Sequence, residues 1–375
     1  MGYIANWLSE EQQAAEAQLT IDDTLLNLMQ RGNLLDEFMK IQMYNDRDFV
    51  LYITERLQTV ASLIAYGAEP PTTQAGRLQK VRGQLFKSGL AFDYPEEMQW
   101  RMRDAMQIAS MRGIAVQTMQ TATGEIVRGS NQDLASFIFK TIADMTIAQF
   151  NLLNALTWQA LQYGEVSWTD PRTNTTQVLD YKDGTATYNH FPADKTGNDA
   201  WTAYATANGL NDLEEDVETF IDTNGRPPKA IAMSRKLRRH LLNQESTRQS
   251  VASITSTLAN TTVNVVGSLG LAQLDAIIER RELPPIVTFD EMYQIEATNK
   301  TITKARFLNT DRYVFLTEDM GERAMGPTLE SDGQEGIYVV TREIRNFPPQ
   351  DATQGVATLM PVVPNPKLLF SRKVA

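Results

Sequence analysis

The sequence predicts an α+β fold that combines one very long helix, an extended two-stranded projection and a mixed helix–strand domain. Apolar residues recur at helical spacing from Leu134 to Leu156, which is typical of a helix of many turns. Around Phe86–Phe92, bulky apolar residues alternate with small or polar ones, as they do in strands. Between residues 200 and 325, helical and strand patterns follow one another, which favours a mixed domain.

The composition excludes several classes of protein. The chain has 375 residues, 42% of them hydrophobic, which is enough to bury a sizeable interior. It contains no cysteine, so disulfides, thiolate metal sites and cysteine nucleophiles are excluded, and assembly in a reducing cytoplasm is favoured. The net charge of −11 opposes non-specific attraction to nucleic-acid phosphates over the molecule as a whole.

No targeting or membrane segment is expected. The first residues, Met1–Trp7, lack a basic n-region followed by a long apolar run. No later stretch approaches the roughly 20 apolar residues that cross a bilayer. The sequence therefore predicts neither export by this route nor a membrane span.

Catalytic and cofactor motifs are weak. His190 and His240 each stand alone, without metal-ligand spacing. Gly267 and Gly270 imitate the start of a dinucleotide-binding motif, but the third glycine is missing, and we interpret them as a turn before a helix. The sequence thus predicts no cofactor, no metal and no enzymatic activity.

An acidic group could be imagined as paired carboxylates or as a cation site. Apolar residues interleave with it at helical spacing, among them Leu213, Val217 and Phe220. We interpret the acids as the solvated face of an amphipathic helix. They are Asp212, Glu214, Glu215, Asp216 and Glu218.

The N-terminal segment is predicted to be an arm. Capping patterns at Ser9 and Thr20 open short helices with little to pack against locally. Such a segment is expected to lie along its own body or along a neighbour. Residues 1–48 contain nine acids and three bases.

An extended loop is predicted next. The dense apolar run from Asp48 to about Ala65 is followed by a break at residues 66–76 and then by the alternating strand Phe86–Phe92. The pair is interpreted as a long two-stranded excursion, which would be marginal on its own in water. Residues 67–92 contain one acid and four bases: Arg77, Lys80, Arg82 and Lys87.

The arm and the loop carry opposite charges, and attraction between them could orient neighbouring subunits in head-to-tail contacts. Accidental surface charge is the alternative, because isolated surface pairs contribute little.

The long helix is predicted to begin near residue 131 and to end before Gly164. A hairpin should follow, with strands at Val166–Trp168 and Gln177–Leu179. Farther on, the tail supplies two strand segments, Ile337–Ile344 and Val356–Met360. They could complete a sheet beside the long helix.

The mixed domain is predicted to hold the acidic helix, the strand Lys229–Met233, helices from Ser234 and from Ser268 to Arg281, and strands around Ile286 and Tyr313. The helix after Ser234 places bases in its first turns, where the helix dipole disfavours cations. This basic patch indicates a partner surface or an anion, with a solvated basic face as the alternative. Its members are Arg235, Lys236, Arg238 and Arg239.

This order of parts resembles the lambda-type major capsid proteins of tailed bacteriophages, which have the HK97 fold. Locally, the resemblance is most specific at Arg226–Ser234 and at Ala357–Phe370, and it also includes the run Gly164–Pro171. It covers essentially the whole chain as an order of elements.

The resemblance implies a division of the chain in the HK97 manner. An arm, an extended loop with its base, a peripheral domain with a spine helix and hairpin, an axial domain, and return strands of the peripheral domain are expected. Their predicted bounds are 1–48, 49–95, 96–199 with the spine at about 131–163, 200–335, and 336–375.

The resemblance also implies a structural function. Subunits are expected to form hexamers and pentamers that close an icosahedral shell, the head of the virion, around double-stranded DNA bound without sequence specificity. No long charged helical segment precedes residue 20, so a separate scaffolding protein, or none, is expected. A portal and a decoration protein are the other expected partners. Another phage structural protein, such as a portal or tail-tube subunit, and a soluble enzyme built on residues 200–325 are the rival interpretations.

Overall fold

The fold is described from a computed structural model of the chain. The structure describes residues 19–24, 26–27, 34–55, 77–94, 97, 100, 119–120, 126–127, 132–169, 176–182, 191–250, 270–296, 301–331, 333, 335–346 and 349–375.

Helices and strands alternate along these residues, so the α+β class predicted from the sequence is observed. The α-helices with defined bounds are α1 (Leu34–Phe38), α2 (Gln132–Tyr163), α3 (Gly209–Asn224), α4 (Arg235–Asn243) and α5 (Leu271–Arg280). The strands are β1 (Met39–Met43), β2 (Asp48–Glu55), β3 (Arg77–Gln84), β4 (Phe86–Tyr94), β5 (Met119–Gln120), β6 (Ile126–Val127), β7 (Glu165–Thr169), β8 (Thr176–Asp180), β9 (Ala230–Met233), β10 (Ile286–Thr288), β11 (Met292–Glu296), β12 (Ile302–Arg306), β13 (Arg312–Leu316), β14 (Gly321–Gly326), β15 (Ile337–Asn346), β16 (Pro349–Val362) and β17 (Ser371–Lys373).

A five-stranded sheet forms the larger body. Its central strand β16 pairs antiparallel with β4, β14 and β15, and β1 extends the sheet by pairing parallel with β14. Helix α2 packs against this sheet, with Met145 so close to Gly355 that a larger residue there would be crowded. The two tail segments predicted from the sequence thus complete the sheet beside the long helix.

Helix α2 confirms the predicted spine helix. It has 32 residues and so spans about 48 Å. The hydroxyls of Thr146 and Thr157 donate to the carbonyl oxygens four residues earlier, which satisfies them inside the core. The helix ends at Gly164, which has a φ of +66° that favours glycine.

A four-stranded sheet in the order β10-β9-β13-β17 forms a second body with helices α3, α4 and α5. Its core joins residues of the helices and strands in one buried cluster, which includes Trp201, Leu213, Leu237, Phe315 and Phe370. The helix and strand order of the predicted mixed domain is therefore observed.

Two strands lie in a different body from the one that the sequence indicated. Strand β14 falls within the predicted axial domain, 200–335, but belongs to the five-stranded sheet. Strand β17 falls within the predicted return strands, 336–375, but pairs with β13 of the four-stranded sheet. The alternation of apolar residues identifies a strand without identifying its partner strand, so these two boundaries were wrong.

Hairpins β7–β8 and β11–β12 contact each other. The predicted hairpin is confirmed as β7–β8, and a second hairpin, β11–β12, was not predicted. The ring of Tyr293 in β11 lies 4.8 Å from that of Phe307 and 6.4 Å from that of Trp168 in β7. Aromatic contacts on one face therefore hold the second hairpin, and its other face is largely polar.

Gly321 offers a test of the sheet. Its φ of +148° disfavours any side chain, and a β-carbon there would overlap the carbonyl oxygen of Val362 on the paired strand. We expect Gly321→Ala to lower the free energy of unfolding by about 2 kcal/mol. Gly89→Ala is the matched control, because a β-carbon at Gly89 meets Val356 at an ordinary 3.5 Å. Equal urea midpoints for the two variants would contradict this expectation.

Candidate functional site

The extended loop contains a two-stranded ribbon. Strands β2 and β3 pair antiparallel along their whole lengths, with Lys80 opposite Tyr52 and Arg82 opposite Val50. Among the described strands, none pairs with the outer edge of either. Because successive residues of a strand alternate between faces, Lys80 and Arg82 occupy one face of the ribbon and Arg77 the other.

The returning strand of the ribbon differs from the prediction. The sequence pointed to Phe86–Phe92, but these residues belong to β4, which pairs with β16 in the five-stranded sheet. Lys87 is therefore not a loop residue as predicted, and its ammonium forms an ion pair with Glu330. The alternation at Phe86–Phe92 reflects a strand of the sheet, and this is why it was mistaken for part of the ribbon.

The base of the ribbon is fixed to the body. The amide of Leu85 donates to the carbonyl oxygen of Arg47 at 3.0 Å, and the side chain of Leu85 is fully buried. The side-chain amide of Gln84 donates to the Asp48 carboxylate at 2.9 Å. The two strands thus leave the sheet from an anchored point.

The basic patch lies on helix α4. Ser234 caps this helix by accepting a hydrogen bond from the Leu237 amide at 3.1 Å. Arg238 forms an ion pair with Asp275 of α5, and Arg235 lies 3.7 Å from the Asp290 carboxylate. The patch is therefore divided, with Lys236 and Arg239 exposed to solvent and the other two held by acids.

The acidic helix is α3, and only part of its acidic face is solvated. Glu215 and Glu218 are exposed, as predicted, and Glu214 pairs with Arg281 at 2.9 Å. Asp212 and Asp216 are buried, so the prediction of a solvated face was wrong for them. A sequence pattern shows that a carboxylate is present but does not show the cation that lets it be buried.

Asp216 is satisfied by residues that are distant in sequence. It accepts two hydrogen bonds from Arg372 Nη1, at 2.8 and 3.0 Å, and one from the Tyr313 hydroxyl. Burial raises the pKa of Asp216, although the bonds from Tyr313 and Arg372 act in the opposite direction. The carboxylate thus connects α3 to β13 and β17.

Asp212 has a similar function one turn earlier. Its carboxylate accepts from Lys195 Nζ at 2.7 Å and from Trp201 Nε1 at 3.0 Å. These bonds attach the segment before α3 to the helix. The i, i+4 spacing of Asp212, Asp216 and the buried Phe220 was the signal in the sequence that could have revealed both acids.

Arg323 was missed by the sequence analysis, and its charged side chain is fully buried. Its side chain donates to the Met39 carbonyl oxygen at 2.8 Å, to Asn154 Oδ1 at 2.7 Å and to the Asp36 carboxylate. Its guanidinium carbon lies 5.6 Å from the centre of the Phe150 ring. Arg323 therefore joins α1 and β1 to the spine helix and the sheet.

Part of the predicted arm belongs to the body of its own chain. Leu35, Phe38 and Met39 lie in the main core, and β1 is a strand of the five-stranded sheet. The capping pattern at Ser9 lies outside the described residues. That the arm reaches along another subunit stays a prediction.

Of the two histidines, His240 lies in the described part of the chain. His240 Nδ1 and the Tyr204 hydroxyl lie 2.8 Å apart, and burial lowers the pKa of His240. His190 lies outside the described residues. Within the described ranges, no group of three or more potential ligands could hold a metal ion, and no helix is long and apolar enough to cross a bilayer.

Comparison with known proteins finds a similar fold among solved structures. No protein-family model matches the chain, and no curated protein is significantly similar to it in sequence. A prophage protein from E. coli CFT073, described as a capsid protein, is similar in structure, with 12% identity, a TM-score of 0.52, and coverage of 94% of this chain and 98% of that one. A phage-related protein from Bordetella bronchiseptica RB50 follows with 13% identity, 96% and 97% coverage, and a TM-score of 0.46.

The match to the prophage protein defines the fold. The match to the prophage protein spans nearly all residues of both proteins, so the chain has the fold of that capsid protein. The HK97-type α+β fold predicted from the sequence is confirmed.

Proposed function

We propose that this chain is the major capsid protein of a tailed bacteriophage, which assembles as hexamers and pentamers into an icosahedral shell around double-stranded DNA. The similarity in fold, over 94% of the chain, to a prophage capsid protein is the observation that carries the proposal. The protein is proposed to be structural, with no catalytic activity of its own.

The structure of the ribbon gives a physical reason for the chain to assemble with copies of itself. A two-stranded sheet is marginal in water unless a third surface supports it, and the described part of the chain offers β2 and β3 no third strand. In a shell, the ribbon would lie over a neighbouring subunit, which would supply the missing packing. The residues Arg77, Lys80 and Arg82 of β3 are proposed as contacts there.

The arm and the body that contains the basic patch are also proposed to contact other subunits. The arm would reach along another subunit, and the body that contains the basic patch would face the centre of the capsomer. Many modest contacts would permit correction of errors during assembly and still add up to a durable shell. A separate scaffolding protein, a portal and a decoration protein are proposed as further partners, with assembly in the bacterial cytoplasm and final location in the virion.

The proposal predicts the form of the particles. The full chain, expressed in bacteria and purified, is expected to yield closed shells by negative-stain electron microscopy. Rings of about a dozen subunits would instead identify a portal-like protein, and tubes would identify a tail-tube subunit. Particles that stay dispersed at every concentration would contradict the proposal and favour the soluble enzyme.

A further inference from the structure

One apolar side chain is almost entirely in solvent. Leu329 is 96% exposed, the largest exposure of any large hydrophobic residue in the part of the chain that the structure describes. Single exposed apolar residues are common on protein surfaces. Leu329 differs from such residues because hydrogen bonds fix the backbone on both sides of it.

The turn around Leu329 is fixed by its own side chains. Thr328 and Ser331 on either side are buried, and each hydroxyl accepts from the amide of the other residue at 3.3 Å. The Ser331 hydroxyl also donates to the Thr328 carbonyl oxygen at 2.9 Å. These bonds hold the backbone in the conformation that directs Leu329 outward, so little further conformational entropy would be lost on binding.

The turn is also attached to the base of the ribbon. Leu85, directly after β3, packs against Gly326 so closely that a β-carbon there would overlap its side chain. Glu330, next to Leu329, forms the ion pair with Lys87. The Thr358 hydroxyl donates to the Pro327 carbonyl oxygen at 2.9 Å. The projecting leucine and the ribbon therefore leave the body from the same place.

We propose that Leu329 is a preformed contact that inserts into an apolar site on a second copy of this chain. The inference rests on the proposed function, because it takes the partner of the ribbon to be a neighbouring subunit. A subunit beneath the ribbon would have to pass the turn at the base of the ribbon. There the fixed leucine offers apolar area that is almost uncovered in the described part of its own chain. Burial of one leucine at such a contact strengthens association by about tenfold or more.

The exposure of Leu329 makes the test direct. The side chain contributes almost nothing to its own fold, so Leu329→Ser should leave the thermal unfolding of the dispersed chain unchanged. The full-length variant is expected to give at least about tenfold fewer shells than the wild-type protein, measured by sedimentation and electron microscopy at equal protein concentration. Leu329→Met should retain assembly, because methionine conserves apolar volume.

Ile302→Ser is the matched control. Ile302 is 60% exposed on hairpin β11–β12, whose strands pair with each other and not with the ribbon. Its variant should assemble normally. Normal shell yield from Leu329→Ser, or an equal loss from Ile302→Ser, would overturn the inference while leaving the proposed function intact. A wild-type chain that sediments as a monomer at every concentration would overturn both.

Discussion

Replacement of Arg323 by methionine is expected to lower the free energy of unfolding by about 3–5 kcal/mol, the usual cost of breaking a buried ion pair from one side. Methionine replaces the aliphatic stem of arginine but donates no hydrogen bond. The variant would leave the Met39 carbonyl oxygen, Asn154 and the Asp36 carboxylate without the donor that now serves all three. Urea unfolding of the dispersed, unassembled chain measures the effect.

The position of Arg323 predicts which residues lose stability first in this variant. Because the side chain joins α1 and β1 to the spine helix, amides of residues 34–43 should lose protection from hydrogen exchange before those of β16. Arg323→Lys should be intermediate, since lysine keeps the charge but cannot donate in three fixed directions. This second variant separates loss of charge from loss of geometry.

Arg226→Met is the matched control for Arg323→Met. The side chain of Arg226 is 44% exposed, donates to the Glu318 carbonyl oxygen and lies 3.8 Å from the Asp319 carboxylate. An exposed ion pair of this kind contributes at most about 1 kcal/mol. If Arg323→Met unfolds at the same urea concentration as this control, Arg323 does not anchor the start of the chain.

The sequence was most informative where local rules and tertiary packing agree. The long apolar face from Leu134 to Leu156 and the glycine at residue 164 defined α2 almost to its ends. Ser234 was predicted to open a helix and does so by capping α4. In both places the residues that fix the backbone are close together in sequence, so no knowledge of distant contacts was needed.

The sequence was least informative where a residue depends on a distant partner. Nothing near Asp216 indicates that Arg372, 156 positions away, will neutralise it. Arg323 resembles an ordinary exposed strand residue until Asp36, 287 positions earlier, is brought against it. The sequence of a strand likewise does not show which distant strand it pairs with. For this reason β14, β17 and the second strand of the ribbon were assigned to the wrong partners.

Charge reversal on the ribbon is expected to have the largest effect on assembly. The double variant Lys80→Glu and Arg82→Glu should abolish most shell or capsomer formation while the dispersed chain stays folded. Both residues occupy one face of an isolated two-stranded ribbon, so the change places two acids on a single surface without touching the sheet beyond it. In the proposed shell that surface faces a neighbour, where like charges against an acidic segment such as residues 1–48 would repel.

The control must change the net charge by the same amount. Lys140→Glu with Lys304→Glu does so at two exposed positions in α2 and β12, outside both the ribbon and residues 1–48. This variant should assemble nearly as well as the wild-type protein, because surface charges away from a contact have small effects.

Salt separates the electrostatic effect from a steric one. Interactions between exposed charges are screened beyond about 10 Å at 0.1 M salt and beyond about 3 Å at 1 M. If repulsion causes the defect, shell yield from the ribbon variant should recover in part as salt is raised, whereas a steric defect would persist. Normal yield from the ribbon variant at low salt would mean that the charge of β3 does not orient subunits, whatever form the particles take.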